Sequence, residues 1–408
     1  MLIERKSEFE NMLEFLLREL DITETQFDKA TSSYQAVGDV LAENKNLKPF
    51  KPTIKPQGSF LLGTMIKPIQ EEDELDVDLV CQLTGKDARW AQYNLKQAIG
   101  DVLKSNETYA RMLQDEGKRC WTLKYADDRR FHMDILPSLV GEGHQELVME
   151  AFNSHNPPVI SKLGIKITDN TLYPGYFTET NPEIWPSSNP FGYAAWFHDR
   201  CKIYLLENNS IRKMVEPFPE YSAEKTILQT VIQILKRHRD FNYGGDDNKP
   251  ISIIITTLAA KAYNKETKLV DALVNVVSRL ESFIDLRYDE NEEKEIYWVE
   301  NPTNSQENFA DKWATNDSLS ITFFEWLGRL KRDLSFLSKG NYPMIFESFD
   351  KLSPIFGNDT VNKAISAYGN HSREMRESGK LRMSDKTGAI GLIGRTPVRK
   401  HNNFGADA

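Results

Sequence analysis

The feature that most narrows what this chain can fold into is the alternation in Leu75-Asp76-Val77-Asp78-Leu79-Val80. Successive side chains of a strand point to opposite faces, so Leu75, Val77 and Leu79 turn toward a core while Asp76 and Asp78 share the other side. At a rise of ~3.3 Å per residue the two carboxylates stand roughly 7 Å apart. Phe131-His132-Met133-Asp134-Ile135 repeats the pattern, with Phe131, Met133 and Ile135 on one face and His132 and Asp134 on the other. The sequence therefore predicts a second strand able to bring Asp134 beside the first pair.

Upstream lies Gln57-Gly58-Ser59. A glycine lets the backbone approach a phosphate closely, and a serine adds a hydroxyl and a backbone N–H. The spacing predicts a helix from Ser59 to about Ile66, whose N-terminus favours a polyphosphate. Mg²⁺ prefers carboxylate oxygens, and two ions ~3.5–4 Å apart can stabilise the attacking and leaving oxygens of a phosphoryl-type transfer together. Asp134 is then the third carboxylate and a candidate acceptor of the attacking hydroxyl's proton. A Gly-Ser pair or an Asp-x-Asp alone carries little; in this order they point to metal-dependent nucleotidyl transfer.

The 408 residues suggest two domains or one large bilobed unit, and 40% hydrophobic with 27% charged residues is ordinary for a soluble globular protein. A net charge of −9 weighs against a nucleic-acid-coating protein. Cys81, Cys120 and Cys201 are widely spaced, so neither a disulfide framework nor a zinc knuckle is expected and a reducing cytoplasm is the simplest setting. The segment from Met1 is charged and amphipathic, and no window approaches a membrane span.

Phe9, Met12, Leu13, Leu16 and Leu20 predict a first helix over residues 2–20. Thr23 and Gln26 resemble a capping box opening a second, striped by Phe27, Ala30, Tyr34, Val37 and Leu41. Pro49, Pro52 and Pro56 predict an extended entry to the Gly-Ser turn. A helix is expected around 88–105, then an antiparallel pair, Cys120–Tyr125 and Arg130–Leu136, joined by a polar turn at Ala126-Asp127-Asp128-Arg129. Residues 153–192 read as loop-rich, with the lobe boundary near 190–220. Beyond it helices are expected over 222–240, 251–263 and 320–337, a solvated linker over 289–295, and a mobile tail over 384–408.

In the helix around residues 226–240, Gln229, Gln233, Lys236 and Asp240 fall within about 60° of one another, away from the apolar stripe. This row is either an ordinary wet face or one that turns Lys236 toward a triphosphate. Ser252 either caps the next helix or offers its hydroxyl to phosphate. His132 and His238 read as packed or surface histidines, and Tyr193 and Trp196 as core rather than base-stacking platforms.

Beyond Gln57-Gly58-Ser59, Asp76-Val77-Asp78 and Asp134, the chain carries Asn189-Pro190-Phe191-Gly192-Tyr193 with Trp196-Phe197, and Lys236-Arg237-His238-Arg239-Asp240. Pro250-Ile251-Ser252, Asn301-Pro302 and Asn308-Phe309-Ala310 follow. Together these resemble the cGAS/DncV-like nucleotidyltransferases of bacterial cyclic-oligonucleotide antiviral signalling, in the polymerase-beta-like superfamily, across most of residues 50–315. The resemblance implies an α+β fold: a nucleotidyltransferase core, a mixed sheet with helices, packed on a C-terminal helical lobe with the active site in the cleft between them. It implies N-terminal helices over 1–50 bracing both lobes, a catalytic core over 51–200, a helical lobe over 201–383 and a flexible tail over 384–408. It further implies that Asp76, Asp78 and Asp134 bind two Mg²⁺ ions, for which Mn²⁺ could substitute. Gln57, Gly58 and Ser59 would hold the donor's phosphates, with Lys236 and Ser252 closing from the helical lobe. ATP or other NTPs would be joined, with loss of pyrophosphate, into a cyclic di- or trinucleotide. The zinc insertion and basic patches of DNA-sensing animal relatives are missing, so no DNA activator is expected. The tail ending at Ala408 resembles those acted on by ubiquitin-transfer-like operon partners. The rival readings are a transferase acting on RNA ends or a protein, and an inactive nucleotide-binding scaffold.

Overall fold

The computed structural model describes residues 2–69, 74–125, 131–154, 156–202, 221–222, 224–290, 293–342, 345–383, 390–391 and 395–398. Its main sheet contains β1 (Thr53–Pro56), β2 (Leu75–Thr84), β3 (Trp121–Tyr125), β4 (Phe131–Val140), β5 (Ile165–Ile167) and β6 (Ser187–Ser188), ordered β1-β2-β4-β5-β6 with β3 also on β4. β2 and β4 run parallel, with Asp76 opposite His132 and Asp78 opposite Asp134. β3 pairs antiparallel with the first half of β4 and sets Thr122 opposite Asp134. The alternation holds as read: Leu75, Val77, Leu79, Phe131, Met133 and Ile135 are all buried. Both strands then run into fully buried, largely apolar stretches, as a sheet covered on both sides requires.

The helices α1 (Leu2–Leu20) and α2 (Glu24–Glu43) meet at a reciprocal capping box between Thr23 and Gln26. They serve different cores. α2 packs with the sheet and the helix Gln92–Ser105, where Val37, Leu79, Ile99, Trp121 and Met133 form one cluster. α1 buries Phe9, Met12, Leu13, Leu16 and Leu20 in a second cluster, which takes in Val80 and Leu136 from the sheet and the helices of the C-terminal half. Its Phe15 meets Tyr368 edge-on at 5.5 Å between ring centres.

Several elements depart from the sequence reading. The helix expected over Ser59–Ile66 spans only Gly58–Leu62 (α3), because Gly63 takes a left-handed conformation (φ 65°) and ends it. Lys48–Phe50 forms a single 3-10 turn, so the extended entry begins only at Thr53. Of the residues expected to form a linker over 289–295, Asp289, Lys294 and Glu295 belong instead to two paired antiparallel strands, Asp285–Asp289 and Lys294–Trp298, while 291–292 lie outside the described residues. Charge alone hid the strands, since an exposed strand tolerates charges well. The polar turn expected at Ala126–Arg129 and most of the expected tail lie outside the described residues. Among the described residues no helix is long and apolar enough to cross a membrane.

The largest revision concerns the helix Ile227–Tyr243, here called the latch helix. Of the row Gln229, Gln233, Lys236 and Asp240, only Asp240 is partly exposed; the other three are dry, and with the adjacent Arg237 they are all at most 4% exposed. These four face the chain that leaves α3 and donate to its carbonyls: Gln229 Nε2 to Leu62 O (2.8 Å), Lys236 Nζ to Thr64 O (3.1 Å), Gln233 Nε2 to Met65 O (2.8 Å) and Arg237 to Lys67 O (2.7 Å). An irregular segment buried against another element must satisfy its backbone acceptors somehow, and here side chains supply the donors. Gln229 does double work, since its Oε1 also accepts from Thr226 N to complete the capping box that starts the helix. Replacing it by alanine, Gln229→Ala, should leave the Leu62 carbonyl unpaired and cost about 1–3 kcal/mol, read as a lower denaturant midpoint in equilibrium unfolding.

Candidate active site

The candidate site is built where β2 and β4 run side by side beneath the Gly-Ser turn. β1 delivers the chain to Gln57, whose N–H donates to Asp78 O at 2.8 Å and pins the turn to the first strand. Gly58 then adopts φ +58°, and a Cβ there would lie 2.5 Å from Asp78 Oδ2. No other residue fits both the backbone and the space. Ser59 opens α3, and Ser59 O accepts from Thr64 N at 3.0 Å, tying the turn to the segment held by the latch helix. With five residues, α3 contributes its first N–H groups rather than a long helix dipole.

The three aspartates are neighbours on paired strands, Asp78 level with Asp134 and Asp76 one pleat away. The Asp78 carboxyl is pushed up to about 6, first by burial and then by the nearby charges of Asp134 and Asp76, with Lys236 opposing them. Asp76 is raised as well, first by desolvation in the cleft, with His132 opposing and Asp134 adding to it. Thr122 Oγ1 donates to Asp134 Oδ1 at 2.5 Å, a partner that the sequence did not suggest. Its only signal was the hairpin register that sets residue 122 against 134.

Carboxylate oxygens crowded on one edge, with Asp76 and Asp78 made harder to ionise, are a donor set suited to a hard divalent cation. In chemistry and register they fit one. Among the described residues, however, no three His, Cys, Asp or Glu side chains converge as a closed ligand cage.

A cleft of about 950 Å³ opens over this edge. Of the expected residues, Ser59, Asp76, Lys236 and Ser252 line it; Gln57, Gly58, Asp78 and Asp134 do not. Lys236 is buried, and desolvation lowers its ammonium to about 7, with Arg239 adding to the effect and Asp240 and Asp78 opposing it. Ser252 is not the helix cap: Ile251 holds that position, and Ser252 Oγ accepts from Arg239 Nη1 at 2.8 Å. The asparagines of the later motifs organise backbone. Asn189 caps the helix Pro190–Cys201 through Gly192 N (2.9 Å), and Asn308 Oδ1 accepts from Val299 N and Ala310 N. Tyr193 is core, as read, with its hydroxyl 2.8 Å from Thr257 Oγ1, and His238 is packed against Asp333. His132 sits on the cleft rim, paired with Glu74, which also holds Lys124 at 3.1 Å.

Residues 52–137 match the family model described as cyclic GMP-AMP synthase DncV-like, nucleotidyltransferase domain. A c-di-GMP synthase from Roseivirga ehrenbergii is 27% identical over 379 residues, 92% of this chain and 91% of that protein. The chain is a nucleotidyltransferase with a DncV-like domain. Cyclic dinucleotide synthase CdnG of Bradyrhizobium diazoefficiens is 22% identical over 92% of this chain and 90% of that protein. The solved structure of CdnG with GTP superposes with a TM-score of 0.63 at 19% identity, covering 88% of this chain and 99% of that one. CdnC from E. coli MS115-1 with ATP gives 0.57 at 13%, covering 86% and 98%. This enzyme thus shares with them the α+β nucleotidyltransferase core and helical lobe.

Two outcomes test the geometry. Gly58→Ala should impose about 1–2 kcal/mol of backbone strain and displace Asp78, so that nucleotidyl transfer collapses while circular dichroism stays native. Because the Lys236 ammonium falls from 10.5 in the unfolded chain to about 7 in the fold, the unfolded state holds the extra proton between those values. Its contribution to stability therefore rises with pH across that window. The stability difference between the protein and its Lys236→Met variant, followed by denaturation from pH 7 to 10, should shift in favour of the lysine; a pH-independent difference would contradict the depressed pKa.

Proposed function

We propose that this enzyme joins NTPs into a cyclic dinucleotide with release of pyrophosphate, using divalent metal at Asp76, Asp78 and Asp134. The observation that carries the reading is the in-register set of three aspartates beside a cleft lined by Ser59, Lys236 and Ser252. The product class rests on the two relatives matched over almost their full length, a c-di-GMP synthase and a cyclic dinucleotide synthase. They make GTP the first substrate to try and favour a ring of two nucleotides over three.

Asp76, Asp78 and Asp134 would hold Mg²⁺ or Mn²⁺. Bound there, such ions neutralise charge on the phosphates and stabilise the attacking and leaving oxygens. Ser59 offers its hydroxyl and N–H to the donor's phosphates, with Gln57 and Gly58 shaping the turn. Lys236 meets them from the latch helix; an arriving triphosphate favours its charged form and draws it from Thr64 O and Oγ1, to which it now donates at 3.1 and 3.2 Å. Ser252, oriented by Arg239, adds a second hydroxyl. Asp134 takes the proton of the attacking ribose hydroxyl, with Thr122 fixing one carboxylate oxygen and leaving the other to accept it. Two rounds, with the intermediate turned over in the cleft, close the ring.

The setting proposed is the bacterial cytoplasm and anti-phage defence, as the family resemblance suggests. Conjugation of the C-terminus by a ubiquitin-transfer-like partner belongs to the same proposal; the residues concerned, 399–408, lie outside the described ones.

Incubation with each radiolabelled NTP, alone and mixed, with Mg²⁺ or Mn²⁺, followed by phosphatase and chromatography, tests the reaction. A small phosphatase-resistant product that disappears in Asp76→Asn/Asp78→Asn is expected, and removal of metal with EDTA should abolish it. Asp134→Asn should slow its formation by about 10²- to 10⁴-fold, the usual worth of a positioned base. Label appearing on RNA or protein instead would assign a different acceptor, and no label anywhere, with the metal and every NTP present, would favour a nucleotide-binding scaffold.

A further inference from the structure

The cleft wall mixes polar side chains with aliphatic ones, Met65, Ile66, Ile69 and Leu75, and a single aromatic ring stands among them. Phe241, in the last turn of the latch helix, is 39% exposed and lines the cleft. Among the described residues lining the cleft it is the only phenyl, phenol or indole ring. The other aromatic residues weighed as platforms are accounted for elsewhere, since Tyr193 is buried and Trp196 packs against the core.

The ring is not a loose surface side chain. Gly357 lies against it: a Cβ on that glycine would meet Phe241 Cδ2 and Cε2 at 3.1 Å, and the glycine holds φ +87°. A side chain at 357 would thus crowd the ring, and glycine alone lets the chain pass beneath it without strain. Beyond the ring, Gly244 and Gly245 also line the cleft, and around a Cβ built on Gly245 nothing stands within 4 Å. Lys236, Arg239 and Asp240 of the same helix reach the same space.

We propose that Phe241 is the nucleobase platform of this site, its free face stacking on the base of a bound nucleotide whose phosphates lie toward Ser59 and Lys236. A flat π-surface suits a base because every base has a π-face, so stacking supplies affinity with little base discrimination. Polar neighbours such as Asp240 then choose among bases by their hydrogen-bonding edges. The inference rests on the nucleotide reading of the cleft, and it locates the base end of the ligand where the aspartates locate the phosphate end.

Equilibrium binding of GTP, ATP and inorganic tripolyphosphate to the full-length protein tests it, alongside Phe241→Leu, Phe241→Tyr and Lys236→Ala. Phe241→Leu keeps apolar bulk but removes the π-face. It should weaken both NTPs by about 5- to 150-fold, the range of one base–aromatic stack, and leave tripolyphosphate unchanged; Phe241→Tyr should bind like the parent. A merely structural role for the ring would weaken all three ligands together in Phe241→Leu, and this or an unchanged NTP affinity overturns the proposal. If Lys236→Ala also leaves NTP and tripolyphosphate binding intact, the nucleotide reading of the cleft fails rather than the platform alone. In the unsubstituted protein, photolysis of bound 8-azido-ATP should label the peptide containing Phe241. Labelling confined to other peptides refutes the assignment even where Phe241→Leu does not fold.

Discussion

The structure depends on one set of hydrogen bonds, those from Gln229, Gln233, Lys236 and Arg237 to the carbonyls of residues 62–67. Without them the segment after α3 would bury unpaired acceptors and the latch helix would bury unpaired donors, each an expensive arrangement in a low dielectric. With them, two elements far apart in sequence become one unit. The Gly-Ser turn belongs to that unit through the Thr64-to-Ser59 bond, and Asp78 through the Gln57 N–H. The strand that carries the carboxylates and the helix that carries Lys236 are thus fixed relative to each other by a short chain of backbone contacts.

The cationic members of this set serve two purposes. Burial depresses Lys236 toward neutrality, where it can donate to Thr64 without the cost of an unpaired buried charge. Asp78 is shifted the opposite way by the same desolvation and by its fellow carboxylates. Acid and base are thereby brought toward one another on the pH scale, so that a ligand carrying both cations and phosphates would restore full charge to each. Thr122 and Glu74 belong to the same economy of charge at the edge, one holding Asp134 and the other holding His132 and Lys124.

Much of the fold was legible because hydrophobic periodicity survives into the structure. The stripe Phe9 to Leu20, the box at Thr23 and Gln26, and the alternation that buries Val77 and Met133 while turning the aspartates outward were readable directly. What could not be read was tertiary in origin. Gln229, Gln233 and Lys236 carry the same letters as a solvated face, and only the segment packed against them makes that face dry. Ser252 looked like a cap because capping and hydrogen bonding to Arg239 ask for the same hydroxyl. The paired strands Asp285–Asp289 and Lys294–Trp298 were hidden by their charges, and Thr122 and Phe241 stood in no motif. The aspartates could be placed on faces from sequence, but their mutual register came only with the parallel pairing of β2 and β4.

Recognition of residues 62–67 through their carbonyls leaves the side chains of Ile66 and Lys67 unconstrained. Both are half-buried and line the cleft, and the clamp would grip almost any L-residue in their place, whereas Leu62, Thr64 and Met65 are held by burial. The fold therefore separates the scaffold from the lining. Substitutions at positions 66 and 67 could remodel the cavity wall, and with it the choice of ligand, without loosening the framework that carries the carboxylates. Gly63 is fixed for a different reason, because a side chain there would strike Gln229 Nε2 at 2.6 Å. A lineage of such proteins could diversify its chemistry along this stretch while keeping one glycine and one helix face constant.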